Sequence, residues 1–267
     1  MRASVTFIGN ATVLLRIGDF TLLTDPAFGP AGSRVYLGKG LWTKRLRDPV
    51  LDALEDAGPD AVLLSHLHGD HFDRMARRRL DPALPIITTP QAERRLRQRF
   101  RAVRGLPTWE SHEWTRGDQR LQVTAVPGRH GPGIVDALLP EVMGSVVEFT
   151  VAGRPRLVLY ITGDTIYRPG LAEIPRRFPR IDTMLIHLGG TRVLGLLLTM
   201  DGRQGTQMTR LIKADRTIPI HYNDYRVMKS PLEDYLSRAR QDGVSGIQPV
   251  GRGDTVDLPL RLPDPAQ

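Results

Sequence analysis

The chain contains no cysteine, which excludes a disulfide scaffold, thiolate-held zinc, iron–sulfur clusters and a cysteine nucleophile. Any metal it carries must therefore sit on His, Asp or Glu. Apolar runs are short, and none reaches the ~18 residues of a membrane span. The opening MRASVTFIGNATVLLRIGDF is interrupted at Ser4, Thr6, Asn10 and Thr12 and builds no signal-peptide core, so a cytoplasmic location is the expectation. Lysine is scarce, with Lys39, Lys44, Lys213 and Lys229 against 33 arginines. The net charge of +8 brings anionic partners or substrates into consideration. Genome composition also produces such an arginine skew, and the clusters at 74–79 and 94–104 fall in helix-like segments, where charge usually faces solvent. Repeats and low-complexity tracts are absent, so residues 1–267 read as one domain.

What is present fits a mixed α/β fold: 40% hydrophobic and 25% charged over 267 residues are the proportions of a globular chain. Short strands are expected over 5–8, 11–17 and 20–24, with hairpin breaks at Gly9-Asn10 and Gly18-Asp19. Residues 26–49 are rich in Gly and Pro and carry Tyr36, Leu37, Leu41 and Trp42, too irregular for a regular element and typical of a functional loop. A short helix over 50–57 precedes a buried strand at 61–64, and Asp73 caps a helix running to Leu80. A strand at 86–89 leads into a helix over 91–103. Further strands are expected at 120–126, 145–151, 156–162, 182–187 and 217–221, with helices near 204–213 and 231–242.

The densest chemistry is Ser65-His66-Leu67-His68-Gly69-Asp70-His71-Phe72-Asp73, which holds three of the chain's seven histidines. At the end of an extended strand His66 and His68, two apart, point to one side, while Asp70 and His71 follow where the chain turns into a helix. Two neighbouring ligand sets result. Imidazole and carboxylate suit borderline divalent ions, zinc by default, with manganese or iron as alternatives. The competing reading, a His-rich solvated turn, fits poorly with Gly69 and the buried strand before it. Asp164 ends the apolar stretch 157–161, where an acid needs a cation or a cap; alone it also suits a turn. His130 in a Gly-flanked loop and His221 after Pro219 would alone suit a surface and a strand end.

Together these residues resemble the metallo-β-lactamase superfamily, whose HxHxDH signature stands here in full as His66-x-His68-x-Asp70-His71. His130 in Val126-Pro127-Gly128-Arg129-His130-Gly131, Asp164 in Tyr160-Ile161-Thr162-Gly163-Asp164-Thr165 and His221 in Ile218-Pro219-Ile220-His221 follow in the family's order. The resemblance implies a four-layer αββα sandwich, two mixed sheets face to face with helices outside. It implies one metal on His66, His68, His130 and Asp164 and a second on Asp70, His71, Asp164 and His221, with Asp164 bridging. It also implies hydrolysis by a hydroxide shared between two divalent ions, with Asp70 both a ligand and the residue that aligns the nucleophile. The stretches 8–15 and 23–28 resemble the branch containing ascorbate-phosphate lactonases and N-acyl-phosphatidylethanolamine phospholipase D. Asn10 departs from that branch's usual His, and His187-Leu188-Gly189-Gly190 from its usual Pro.

His187, at a strand end beside two glycines, is a candidate for protonating the leaving group or binding substrate; the alternative is a strand-end His held by backbone. His112, between Trp109 and Trp114, reads as structural or surface in a Glu-rich turn, and Asp201 as a helix cap. The expected substrate is a small or lipid-like anion with a phosphodiester, lactone or other ester bond. The apolar stretch 193–198 would cover an acyl chain, or instead pack into the core or an interface. A nuclease of the same superfamily is disfavoured by the lack of aromatic–basic interleaving. An iron-dependent oxygenase on this fold is weakened by the absence of a flavin domain, and a binding module with a relic site by the filled ligand positions.

Overall fold

The computed structural model describes residues 1–262, with the backbone alone at 134, 135 and 137. β1 (Ala3–Gly9), β2 (Thr12–Ile17) and β3 (Phe20–Thr24) form an antiparallel meander. A small hairpin of β4 (Arg34–Tyr36) and β5 (Trp42–Lys44) follows. β6 (Ala61–Leu63), α1 (Arg74–Arg79), β7 (Ile86–Thr88), α2 (Pro90–Leu96) and β8 (Val103–Gly105) then add parallel strands by helical crossovers. β9 (Ser111–Arg116), β10 (Gln119–Pro127), β11 (Met143–Val151) and β12 (Arg154–Ile161) make a second meander. After α3 (Glu173–Arg177), β13 (Thr183–His187) pairs parallel to β12. The two-residue strands β14 (Arg192–Val193) and β15 (Leu196–Leu197) form a tiny hairpin before α4 (Gly202–Ile212). β16 (Arg216–Ile220) lies parallel to β13, and α5 (Leu232–Gln241) and β17 (Thr255–Asp257) complete the chain.

The strands assemble into a seven-stranded sheet, β17-β1-β2-β3-β6-β7-β8, and a six-stranded sheet, β16-β13-β12-β11-β10-β9. Their packing follows from strands that are apolar on both faces. On β2, Val13, Leu15 and Ile17 join Val123, Val147, Phe149 and Leu159 in the core between the sheets. Leu14, pointing the other way, joins Leu23, Val62, Phe72, Ala76 and Leu96 beneath α1 and α2. On the far side Val158, Tyr160, Met184 and Ile186 pack against Ile174, Met208, Ile212 and Tyr235 of α3, α4 and α5. Three cores between four layers make the αββα sandwich, and strands buried on both faces read as continuous apolar runs for this reason.

Four expectations are corrected. The irregular stretch 26–49 contains the β4–β5 hairpin, whose strands are too short to show a period. The segment 50–57 is a single 3-10 turn, Leu51–Leu54. The helix expected over 91–103 ends at Leu96, because the next backbone groups bond elsewhere: Arg101 N–H donates to Pro82 O, and Ala102 O accepts from Ile86. Residues around His112 form edge strand β9 rather than a turn, with His112 paired opposite Val123. Asp73 and Asp201 cap α1 and α4 as expected, accepting from Ala76 N and Gln204 N.

Candidate metal centre

Parallel pairing aligns strand ends, and the chemistry gathers there. β6 delivers the run from His66 to His71; the ends of β10, β12 and β16 deliver His130, Asp164 and His221, with Ile161 opposite Leu185 and His187 opposite Ile220. Gly69 is required at the turn, since a Cβ there would lie 2.8 Å from Tyr36 O of the neighbouring hairpin. His221 adopts φ +59, an unfavourable conformation for a non-glycine residue. Its N–H donates to Asn10 O at 3.0 Å, and Asn10 Nδ2 donates to Asp70 O at 2.8 Å. Asn10 thereby ties two of the site's loops together.

All seven expected ligands are buried and fall into two adjoining groups. In the first, His66 Nε2 and His130 Nε2 each lie 3.0 Å from His68 Nδ1. In the second, His71 Nε2 lies 3.2 Å from His221 Nε2 and 3.2 Å from Asp164 Oδ2, while Asp70 Oδ2 is 3.4 Å from His221 Nε2. Asp164 Oδ2 stands between the groups, 4.0 Å from His66 Nε2. The outer ring nitrogens select the tautomers. His130 Nδ1 donates to Leu198 O at 3.0 Å and His221 Nδ1 to Leu188 O at 3.1 Å, which turns both Nε2 atoms inward.

Burial pushes every imidazole here towards the neutral form, and neighbouring charges decide the outcome. His66 lies well below the usual range through burial and then His71, His68 and His130; His68 is lowered to about 3 by burial and His130. At His71 burial is outweighed by Asp164, Asp70 and Asp25, and at His221 by Asp164 and the Asp70 hydrogen bond, so both are raised. Against burial, His71 and His221 hold Asp70 at about 2, and the same two hold Asp164 well below the carboxylate range. Asp70 Oδ1 and Asp164 Oδ1 are buried without a hydrogen-bond partner. Ionised carboxylates with unpartnered oxygens, among inward-facing imidazole nitrogens, fit a pair of divalent cations.

Asp25, absent from the expected site, is the main addition. It follows β3, and the parallel pairing of β3 with β6 brings it against Ser65, whose N–H and Oγ donate to its two oxygens at 2.7 and 2.9 Å. Its Oδ2 is 3.2 Å from His71 Nδ1, the position of a carboxylate that orients a metal-binding imidazole. The sequence signal was the one that singled out Asp164, an acid closing an apolar strand. His187 sits behind His71, its ring stacked at 6.0 Å and 13°. Its Nδ1 is 3.2 Å from Thr162 Oγ1 and its Nε2 faces Asp25 Oδ2 at 3.6 Å. Asp25→Asn is expected to lower metal affinity about 10–100-fold, read by competition with a fluorescent chelator; unchanged affinity would remove Asp25 from the centre's support.

The cavity over the metal groups is narrow, about 20 Å³, and is walled by Leu37 and Leu41 on one side and Val193, Leu198 and Thr199 on the other, with His68, Asp70, His130 and Asp164 at its base. His187 is not among its lining residues. The tip of the β14–β15 hairpin carries Leu194, 98% exposed. His112, edge-on to Trp114 at 4.5 Å and beside Arg104 Nη1 at 3.2 Å, belongs to β9 and not to this centre. A buried ion network braces the loops: Asp224 receives Arg252 Nη1 at 2.7 Å and Arg45 Nη2 at 3.4 Å, while Arg45 Nη1 donates to Ala27 O and Gly29 O. No sequence signal joins Arg45 to Asp224, 179 positions apart.

Comparison with known proteins agrees with this geometry. The β-lactamase superfamily domain family matches residues 21–222. Protein YddR of Bacillus subtilis is 27% identical over 175 residues, 64% of this chain and 66% of that protein. A UPF0173 metal-dependent hydrolase of Pelotomaculum thermopropionicum is 24% identical, covering 95% of this chain and 99% of its own length. The crystal structure of an isothiocyanate hydrolase from Delia radicum gut bacteria superposes with a TM-score of 0.80 at 20% identity, over 96% of this chain and 99% of that one. With the family match spanning most of the chain and its ligand-bearing loops meeting at one edge of an αββα sandwich, this protein belongs to the metallo-β-lactamase superfamily and is a hydrolase of that fold.

Proposed function

We propose that the protein hydrolyses a phosphodiester, lactone or other ester bond in an anionic, small or lipid-like substrate, using two divalent ions, zinc by default. His66, His68, His130 and Asp164 would hold one ion and Asp70, His71, Asp164 and His221 the other. The observation that carries this reading is the convergence of seven buried donors with unpartnered carboxylate oxygens. When bound, such a pair supplies Lewis acidity and lowers the pKa of a shared water towards ~7.

The chain's own residues do the rest. Asp70 takes part in the second group through Oδ2 and keeps Oδ1 free to accept a hydrogen bond from the attacking water, fixing its direction. Asp25 holds the His71 ring with Nε2 inward. His187, expected as a candidate for protonating the leaving group, would instead support Asp25 from behind His71, because its Nε2 faces Asp25 Oδ2 at 3.6 Å and it does not line the cavity. Leu37, Leu41, Val193 and Leu198 exclude water from the reacting atoms and offer apolar contact to an acyl or other hydrocarbon portion.

The test couples metal quantification to a hydrolysis screen against a phosphodiester, a lactone, a thioester and a β-lactam. Activity on an anionic ester that disappears with chelator and returns with zinc supports the reading; inactivity on every ester in a fully loaded sample would contradict it. Removing the exposed hairpin tip, residues 194–195, is expected to raise KM for a long-chain ester more than for bis(p-nitrophenyl) phosphate. Equal changes for both would assign the hairpin to packing alone.

A further inference from the structure

A second, larger cavity lies beside the metal centre, on the other side of the β4–β5 hairpin. It measures about 700 Å³ and is bounded by that hairpin, by the turn from Leu67 to Gly69 and by α1, a volume suited to a small organic ligand. The hairpin is a partition between the two cavities. Its connecting residues Leu37 and Leu41 wall the metal cavity, while Tyr36 and Trp42 wall the cleft; His68 lines both. The partition is anchored to the ligand loop by the Gly69 N–H, which donates to Tyr36 O at 3.0 Å.

The lining combines two chemistries. Its apolar part is aromatic: Tyr36 and Trp42 contact one another at 5.1 Å while remaining 45% and 58% exposed, and Phe72 and Met75 lie below them. Its charged part is Arg34, Arg74, Arg77, Arg78, Arg79 and Arg95. Among the described residues none of these six has an acidic side chain within ion-pair distance, whereas Arg97, Arg116, Arg176 and Arg177 elsewhere on the surface each have one. Asp73, the acid in the lining, commits both carboxylate oxygens to backbone N–H groups, those of Ala76 and Gly29. Burial, and after it the neighbouring charges of Arg99 and Arg95, lowers the Arg77 pKa. Solvated arginines on a free helix face do not need an aromatic cleft beside them, and exposed aromatic rings do not need six cations.

We propose that this cleft binds an anionic amphiphile, its phosphate, sulfonate or carboxylate group held by the arginines of α1 and its aromatic or acyl body seated on Tyr36, Trp42 and Phe72. Arginine forks match such oxyanions, and the aromatic rings supply apolar area with little rotamer freedom to lose. The site is separate from the hydrolytic reading, because binding here is measured without turnover. Its occupant would press on the same hairpin that walls the metal cavity.

The experiment titrates the metal-loaded full chain with 1-anilinonaphthalene-8-sulfonate, followed by fluorescence, and then displaces the dye with dodecyl phosphate, dodecanol or inorganic phosphate. Saturable binding is expected, weakened about tenfold or more in Trp42→Ala and in the double variant Arg77→Gln/Arg78→Gln. Those residues are exposed, so the fold should survive, which circular dichroism checks. A charge-matched control, Arg203→Gln/Arg240→Gln on α4 and α5, should bind as the parent does. Dodecyl phosphate should displace the dye at a concentration at least about tenfold below that of dodecanol or inorganic phosphate. Wild-type dye binding in both cleft variants, an equal loss in the control pair, or equal displacement by dodecanol would each overturn the proposal.

Discussion

Asp70→Asn is expected to lower turnover by more than about a hundredfold in metal-replete buffer, beyond the about 10–100-fold typical of residues that only orient a ligand, while leaving the fold intact. The amide keeps the size of the carboxylate but removes the negative charge that sits 3.4 Å from His221 Nε2 and 3.8 Å from His71 Nε2. It also replaces an acceptor oxygen with a donor on one side, so the unpartnered Oδ1 position can no longer be relied upon to orient a water. Steady-state kinetics with far-ultraviolet circular dichroism checks both halves of the expectation. A metal-loaded Asp70→Asn protein with near-parental kcat would show that Asp70 is not part of the reacting assembly.

Asp224→Ala is expected to destabilise the protein by about 3–5 kcal/mol, the usual cost of leaving a buried charge without its partner. Arg45 and Asp224 are both fully buried, and Asp224 also accepts Arg252 through both oxygens, at 2.7 and 3.1 Å. Its backbone carbonyl accepts the Leu46 N–H at 2.7 Å. The network therefore joins the segment carrying Leu37 and Leu41 to the segment that follows His221. Urea unfolding of metal-loaded protein reads the loss. A change below about 1 kcal/mol would be the behaviour of an exposed pair and would deny the network its bracing role.

The metal centre was far more legible in the sequence than the loops around it, and the reason is the range of the interactions involved. His66, His68, Asp70 and His71 lie within six positions, so an extended strand end and the turn after it place them together. Asp164 and His221 close apolar strands, His130 stands in a Gly-flanked loop, and the family's order links the three. Asp25 carried the same local signal as Asp164, but its role depends on β3 pairing parallel to β6, a contact no local pattern announces. No local pattern marks Arg45 as buried; only the fold reveals it as a buried cation. The end of α2 was misplaced because tertiary hydrogen bonds to Pro82 and Ile86 override helix propensity after Leu96. The β4–β5 and β14–β15 hairpins have strands of three and two residues, below the length at which alternation is visible. These two hairpins wall the cavity, so the part of the sequence hardest to read is the part that lines the approach to the candidate centre.

The central claim is that seven side chains hold two divalent ions, and elemental analysis of purified protein after zinc loading and removal of excess metal tests it most directly. Two equivalents per chain are expected, with activity rising until the second is bound and with Asp70→Asn retaining about one. A protein that reaches full activity with a single equivalent, or that binds none with the seven residues intact, would contradict the account.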